Sequence, residues 1–198
     1  MNKDLNHQNL SGGQAVVETL KIEEVKYVFG LIGSATMELF DALYDTKDIK
    51  FIDVRDERTG VHMADGYARA SGQPGVVIAG QNGPGATNLV TGIAQAKAAF
   101  SSIVSLAGAI TSEHEGKDAF QEIDQQALFE PITKKTFSVK QTEKIPKILN
   151  EAFNLALTPK CGPIHVNLPR DILAHNADFT GFNKHQNNIL PKASKNQL

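Results

Sequence analysis

Short apolar runs alternate with stretches of helical periodicity along most of the chain. That alternation constrains the fold more than any other feature. Val76-Val77-Ile78-Ala79 is the sharpest case, with three β-branched residues in a row and glycine on both flanks. A run with no polar face is a strand covered on both sides. Tyr27–Phe29, Ile49–Val54, Ser102–Ala107, Thr136–Val139 and Pro163–Pro169 read as further strands. Ser11, with Gln14 three residues on, is a capping box opening a helix through Val25. Further helices are expected over Ala35–Leu43, Arg58–Ala70, Ala86–Ala98 and Thr142–Leu157, with a short one near Asp124–Phe129. Strands and helices in this order predict an α/β fold: a mostly parallel sheet of about six strands with helices on both faces. The crossover rule narrows the topology and leaves strand order open.

The expected organisation is a polar, flexible lead over residues 1–10, one domain over 11–178 and a linker-like tail over 179–198. The tail contains no acidic residue after Asp178, and a chain that ends in such a segment suggests a further domain beyond it. Net charge is −2 with no basic cluster, which argues against nucleic acid as the main partner. The single cysteine, Cys161, excludes an intramolecular disulfide framework and fits a reducing, cytoplasmic setting. The N-terminal residues lack the apolar core of a signal peptide. No run approaches the roughly eighteen apolar residues of a membrane span.

Ligands of open α/β sheets bind beyond the carboxyl ends of the strands. Three loops leave strands there: Gly30–Gly33, Arg55–Thr59 and Gly80–Gly85. Half of the sixteen glycines fall between Gly60 and Gly92, where tight turns or close backbone approach are needed. Their spacing matches neither the dinucleotide fingerprint nor the P-loop. There is no HExxH or GxSxG, and His62, His114 and His165 form no metal-ligand set. Glu57 follows an apolar strand beside Asp56 at a helix start. It is either a solvated acid favoured at a helix N-terminus, or a partly buried acid with a raised pKa that exchanges a proton. Gly80–Gly85 is either a tight strand-to-helix turn or a surface on which a planar ligand lies against bare backbone. Phe120-Gln121-Glu122 lies in a loop, Gly108–Glu130, long enough to suggest function. Cys161, His62 and His165 read as structural, and Tyr67 and Arg69 as packing or dimer contacts. His114 is the histidine nearest the site by virtue of its loop.

Read together, GLIGSATMELFDALYD from Gly30, DERTGVHMADGYARASG from Asp56, QNGPGATNLVTGI from Gln81, GKDAFQE from Gly116, ITKKTF from Ile132 and GPIHVNLPRDI from Gly162 resemble the N-terminal domain of the thiamine-diphosphate-dependent acetolactate synthases. The likeness runs from Ser11 to Ile172 in the family's own order. GLIGSA and Asn82 are also similar to sulfoacetaldehyde acetyltransferase, and Asp56 stands where the synthases commonly carry histidine.

The resemblance implies a thiamine-diphosphate-binding fold. It implies that Glu57 is the acid that hydrogen-bonds the cofactor's aminopyrimidine ring and promotes loss of the C2 proton. Gly33, Ser34, Gln81, Asn82, Gly83, Pro84, Gly85 and Asn88 would join it around the cofactor. Phe120 and Gln121 would face the substrate, with Gln121 also catalytic. The substrate implied is pyruvate, a related 2-oxo acid or a sulfo-aldehyde, in a C–C lyase or transferase reaction. The family's GDG motif for Mg2+ and diphosphate does not occur, so both are expected on a partner domain, in a homo-oligomer or heteromer. The chain alone is then expected not to turn over. A separate subunit of a sulfopyruvate- or phosphonopyruvate-type decarboxylase and a non-catalytic binding module are the alternatives.

Overall fold

The structure, a computed structural model, describes residues 8–185. The main sheet contains β2 (Tyr27–Leu31), β3 (Lys50–Asp53), β4 (Gly75–Ala79), β5 (Ile103–Ala109), β6 (Lys135–Ser138) and β7 (Ile164–Pro169). All are parallel, in the order β3-β2-β4-β5-β7-β6. The expected α/β architecture is therefore present, with six strands in its main sheet. After β2 the chain turns to one side to form β3, then returns to form β4 on the other side of β2. Such a reversal leaves a crevice where neighbouring loops diverge, at the carboxyl ends of β2 and β4.

Alternation along the central strands builds a core on each face. Val76, Ile78, Val104, Leu106 and Val166 pack beneath α1 (Gly12–Ile22), α2 (Met37–Tyr44) and α6 (Ile145–Leu157). Val77, Ala79, Ile103 and Ala107 pack beneath α3 (Glu57–Ser71), α4 (Pro84–Ala98) and Phe129 of α5 (Gln125–Phe129). Each large aliphatic side chain buried in this way contributes about 2 kcal/mol. Ser11 caps α1 in the expected capping box, accepting from Gln14 while the Gln14 side chain accepts from the Ser11 amide.

Several boundaries move for local reasons. Helix α3 starts at Glu57 because Asp56 caps it, its side chain accepting from the Arg58 amide. Helix α4 starts at Pro84, whose missing N–H costs nothing in a first turn. Helix α6 starts at Ile145, after a 3-10 turn over Thr142–Lys144.

The polar lead ends in a strand that periodicity did not reveal. β1 (Gln8–Ser11) pairs antiparallel with β8 (Asn176–Phe179), which follows α7 (Arg170–Ala174). Asn9 donates to Asp178 at 2.8 Å, and the Gly12 amide donates to the His175 carbonyl at 3.0 Å. The first residues of the expected tail are likewise engaged. The His185 amide and ring bond the buried carboxylate of Glu23, and Lys184 pairs with Glu24 at 2.7 Å. Residues 1–7 of the lead and 186–198 of the tail lie outside the described residues. Among the described residues no helix is long and apolar enough to cross a membrane.

Candidate functional site

Glu57 is the first residue of α3 and is only 4% exposed. Asn88, one turn into α4, donates to its Oε2 at 2.9 Å. Its Oε1 faces Gly85, where an added methyl carbon would stand 3.2 Å away. The same methyl would meet the Gln81 Cβ at 3.2 Å. Gly85 thus keeps a small space open between a buried carboxyl and the base of the Gln81 side chain.

Gln81 links the loops that leave β2 and β4. Its Oε1 accepts from the Ser34 amide at 3.1 Å and from the Ser34 hydroxyl at 2.9 Å. Its Nε2 donates to Gln121 Oε1 at 2.5 Å. Close backbone approach accompanies these bonds. A Cβ on Gly80 would fall 2.1 Å from the Gly33 nitrogen, so only glycine fits there. The Gly80 carbonyl accepts from the Ala35 amide at 3.1 Å and from the Thr36 hydroxyl at 3.2 Å.

Asn82 is buried and reaches across to the long loop. Its Nδ2 donates to the Gln121 carbonyl at 3.0 Å and the Phe120 carbonyl at 3.2 Å. Gly83 has φ +58°, and a side chain there would collide with the Gln121 carbonyl. It combines a left-handed backbone with a crowded position, the case for which glycine is needed. Pro84 then opens α4.

Every residue singled out around the cofactor or substrate therefore lies on one contiguous carboxyl-edge surface. Gly33 and Ser34 meet Gly80 and Gln81. Gln81 and Asn82 meet Phe120 and Gln121. Gly85 meets Glu57, and Asn88 bonds it. The Phe120 side chain is 83% exposed and packs into no core.

Two of the remaining residues take structural places. Asp56 turns to Arg58, whose guanidinium and amide hold its carboxyl down at about 2. It is a charged helix cap rather than a partner of Glu57. Arg69 forks onto Asp65 at 2.9 and 3.0 Å along α3. His114 is exposed and bonds Thr111 in its own 3-10 turn. It pairs with Thr111 and Glu113 and does not border the cavity beside Asn82 and Gln121, so its loop does not bring it to the site.

The pattern along the chain did not mark a second, buried layer. Gln125 Oε1 accepts from the Gly83 amide at 3.3 Å, while its Nε2 donates to the Gly108 carbonyl at 3.1 Å and Asn167 Oδ1 at 2.7 Å. Asn167 Oδ1 also contacts His165 Nε2 at 2.9 Å, and Ser105 bonds His165 Nδ1 at 3.1 Å. Burial pushes His165 down to about 3, so the ring is neutral at physiological pH. A coherent assignment follows: Nε2–H donates to Asn167, and Nδ1 accepts from Ser105. Phe129 stacks on that ring at 3.6 Å. A cavity of about 340 Å³ adjoins this layer, bounded by Asn82, Gln121, Gln125 and Asn167. Among the described residues no three His, Cys, Asp or Glu side chains converge to hold a metal ion.

The chemistry of this edge suits an aminopyrimidine. One oxygen of a buried carboxyl lies against Gly85, the Asn88 amide holds the other, and the Gln81 side chain lies close by. Comparison with known proteins agrees. Residues 10–128 match the family described as thiamine pyrophosphate enzyme, N-terminal TPP binding domain. The probable acetolactate synthase large subunit of Methanocaldococcus jannaschii is 47% identical over 163 residues, which is 82% of this chain and 27% of that protein. The acetolactate synthase isozyme 3 large subunit of Escherichia coli K12 is 47% identical over 164 residues, 83% of this chain and 28% of that protein. For the acetolactate synthase large subunit of Haemophilus influenzae the figures are 43% over 172 residues, 87% and 30%. The chain thus spans less than a third of the length of these relatives. With the sheet, the Glu57–Asn88–Gly85 arrangement and the match over 10–128 all in agreement, the chain belongs to the thiamine pyrophosphate enzymes, as their N-terminal TPP binding domain.

Proposed function

We propose that this domain forms the pyrimidine side of a thiamine-diphosphate site in an enzyme that breaks or forms a C–C bond beside the carbonyl of pyruvate or a related 2-oxo acid. The observation that carries the reading is Glu57: buried, held by Asn88 at 2.9 Å, with Oε1 aimed across Gly85. Thiamine diphosphate, when bound, supplies an electron sink for the carbon from which the bond is cleaved. Glu57 Oε1 holds or accepts the proton that its aminopyrimidine partner exchanges. Asn88 fixes the carboxyl rotamer, so no reorganisation is needed when that proton moves. Gly83 lets the Gln121 backbone close onto the loop, and Gly85 lets Glu57 Oε1 and Gln81 lie close together. Gln121, anchored by Gln81 and Asn82, presents its side chain to the substrate. The Mg2+ and the diphosphate are held by a second domain, which meets this edge within an oligomer. The names of the relatives favour an acetolactate-forming reaction over a sulfo-aldehyde one.

The test is carbon dioxide release from pyruvate by the enzyme assembled with its diphosphate-binding domain. Glu57→Gln keeps size and hydrogen bonding but removes the exchangeable proton. It should lower kcat by about 100-fold or more with the fold unchanged. Retention of more than half the wild-type rate overturns the assignment.

A further inference from the structure

We infer that Glu122 is the positioning residue for Gln121, an inference that rests on Gln121 being the substrate-facing group of the proposed site. The loop that delivers Gln121 has an unusual backbone. Gly116, Asp118 and Gln121 have φ of +78°, +53° and +60°. Two of these are not glycine, and such residues persist at positive φ only where their surroundings hold them.

The hold comes from the next residue in the chain. Glu122 Oε1 accepts from the Gly116 amide at 2.5 Å, and Oε2 accepts from the Ala119 amide at 2.9 Å. The Glu122 amide donates back to the Ala119 carbonyl at 2.9 Å. One carboxylate therefore ties both ends of the loop together with charge-assisted bonds, stronger than neutral ones. Asn82 and Gln81 grip Phe120 and Gln121 at the far end of the stretch, while at its near end Glu115 reaches Lys140 at 2.6 Å through two side chains each more than half exposed. A surface pair of that kind holds weakly.

The consequence reaches the site chiefly through Gln121, next to Phe120, whose carbonyl Asn82 also bonds. With φ at +60°, its carbonyl faces Asn82 and its side chain reaches Gln81. Relaxing that dihedral to the ordinary negative region would turn both away. Both Glu122 carboxyl oxygens are taken up by amides of its own loop, although the residue also borders the cavity shared by Asn82 and Gln121. It acts by holding another residue, not by touching substrate.

Two measurements test this. The first is hydrogen exchange on the 198-residue chain. Glu122→Ala should speed exchange at the Gly116 and Ala119 amides by about tenfold or more, the loss of one charge-assisted bond. Amides in α4 such as Leu89 should not change. Unchanged exchange at Gly116 and Ala119 overturns the inference. The second is a double-mutant cycle on the assembled enzyme. Glu122→Ala should lower kcat/KM by about tenfold with Gln121 present and by less than about twofold in the Q121A background. Equal losses in both backgrounds overturn it, because Glu122 would then act through some other group. Failure of the wild-type assembly to release carbon dioxide would overturn the proposed function instead, and the exchange experiment would still decide whether the clamp exists.

Discussion

Two adjacent acids at the start of α3 have different work because their side chains meet different partners. Asp56 faces solvent and Arg58, stays charged and caps the helix. Glu57 turns inward to Asn88 and Gly85. A third buried polar group behaves in yet another way. His165 has no carboxylate partner, and burial holds it neutral, down to about 3. Its ordinary value in the unfolded chain is about 6.5. Between those limits the unfolded chain takes up a proton that the folded one refuses. Stability is therefore complete above about pH 6.5 and falls as pH drops toward 3, by up to about 1.4 kcal/mol per pH unit. Urea denaturation at several pH values should show this slope, and His165→Gln should flatten it. An unchanged slope in that variant would assign the proton uptake elsewhere.

Helix packing depends on small residues in the same way that the site depends on bare backbone. Gly92 of α4 faces Val61 of α3 so closely that an added Cβ would stand 2.6 Å from the valine Cβ. That contact sets how near the two helices lie, and so how Asn88 reaches Glu57 across them. Gly92→Ala should destabilise the fold by about 1–3 kcal/mol through overpacking. Adding Val61→Ala should recover most of the loss. The check is the pair of urea midpoints, and no recovery would mean that the helix contact is not what Gly92 protects. The elements of the main sheet were legible in the sequence, since its strands other than β6 (Lys-Thr-Phe-Ser) each carry a short apolar run. The β1–β8 ribbon was not. Its strands are only four residues each, with apolar and polar residues mixed, and its partners sit 165 to 171 positions apart.

At the scale of the whole molecule, the proposed site is one half of a ligand environment along one edge of the sheet. The arginines nearest Glu57 are already engaged, Arg55 with Asp53 and Arg58 with Asp56. Both cations that flank Glu57 in the chain are thus paired within this domain. The 198-residue chain alone should therefore bind thiamine diphosphate with a Kd weaker than about 100 μM, even with Mg2+ present. Titration calorimetry measures this directly, and tight binding by a monomer would show that the second half of the site is not needed.

The sequence by itself determined the parallel α/β class and the three carboxyl-edge loops, because periodicity and glycine placement are local properties; the part given to Glu57 came from the resemblance of the ordered motifs around it. Only the tertiary structure decided that Gln81 and Asn82 grasp the loop carrying Gln121, and that Gly85 opens toward Glu57 Oε1. It also revealed Gln125 and Asn167 as the buried layer under Gly83. Those contacts join residues about 30 to 40 positions apart. No local pattern specifies them, because each depends on strand order and on which loops diverge at the reversal beside β2.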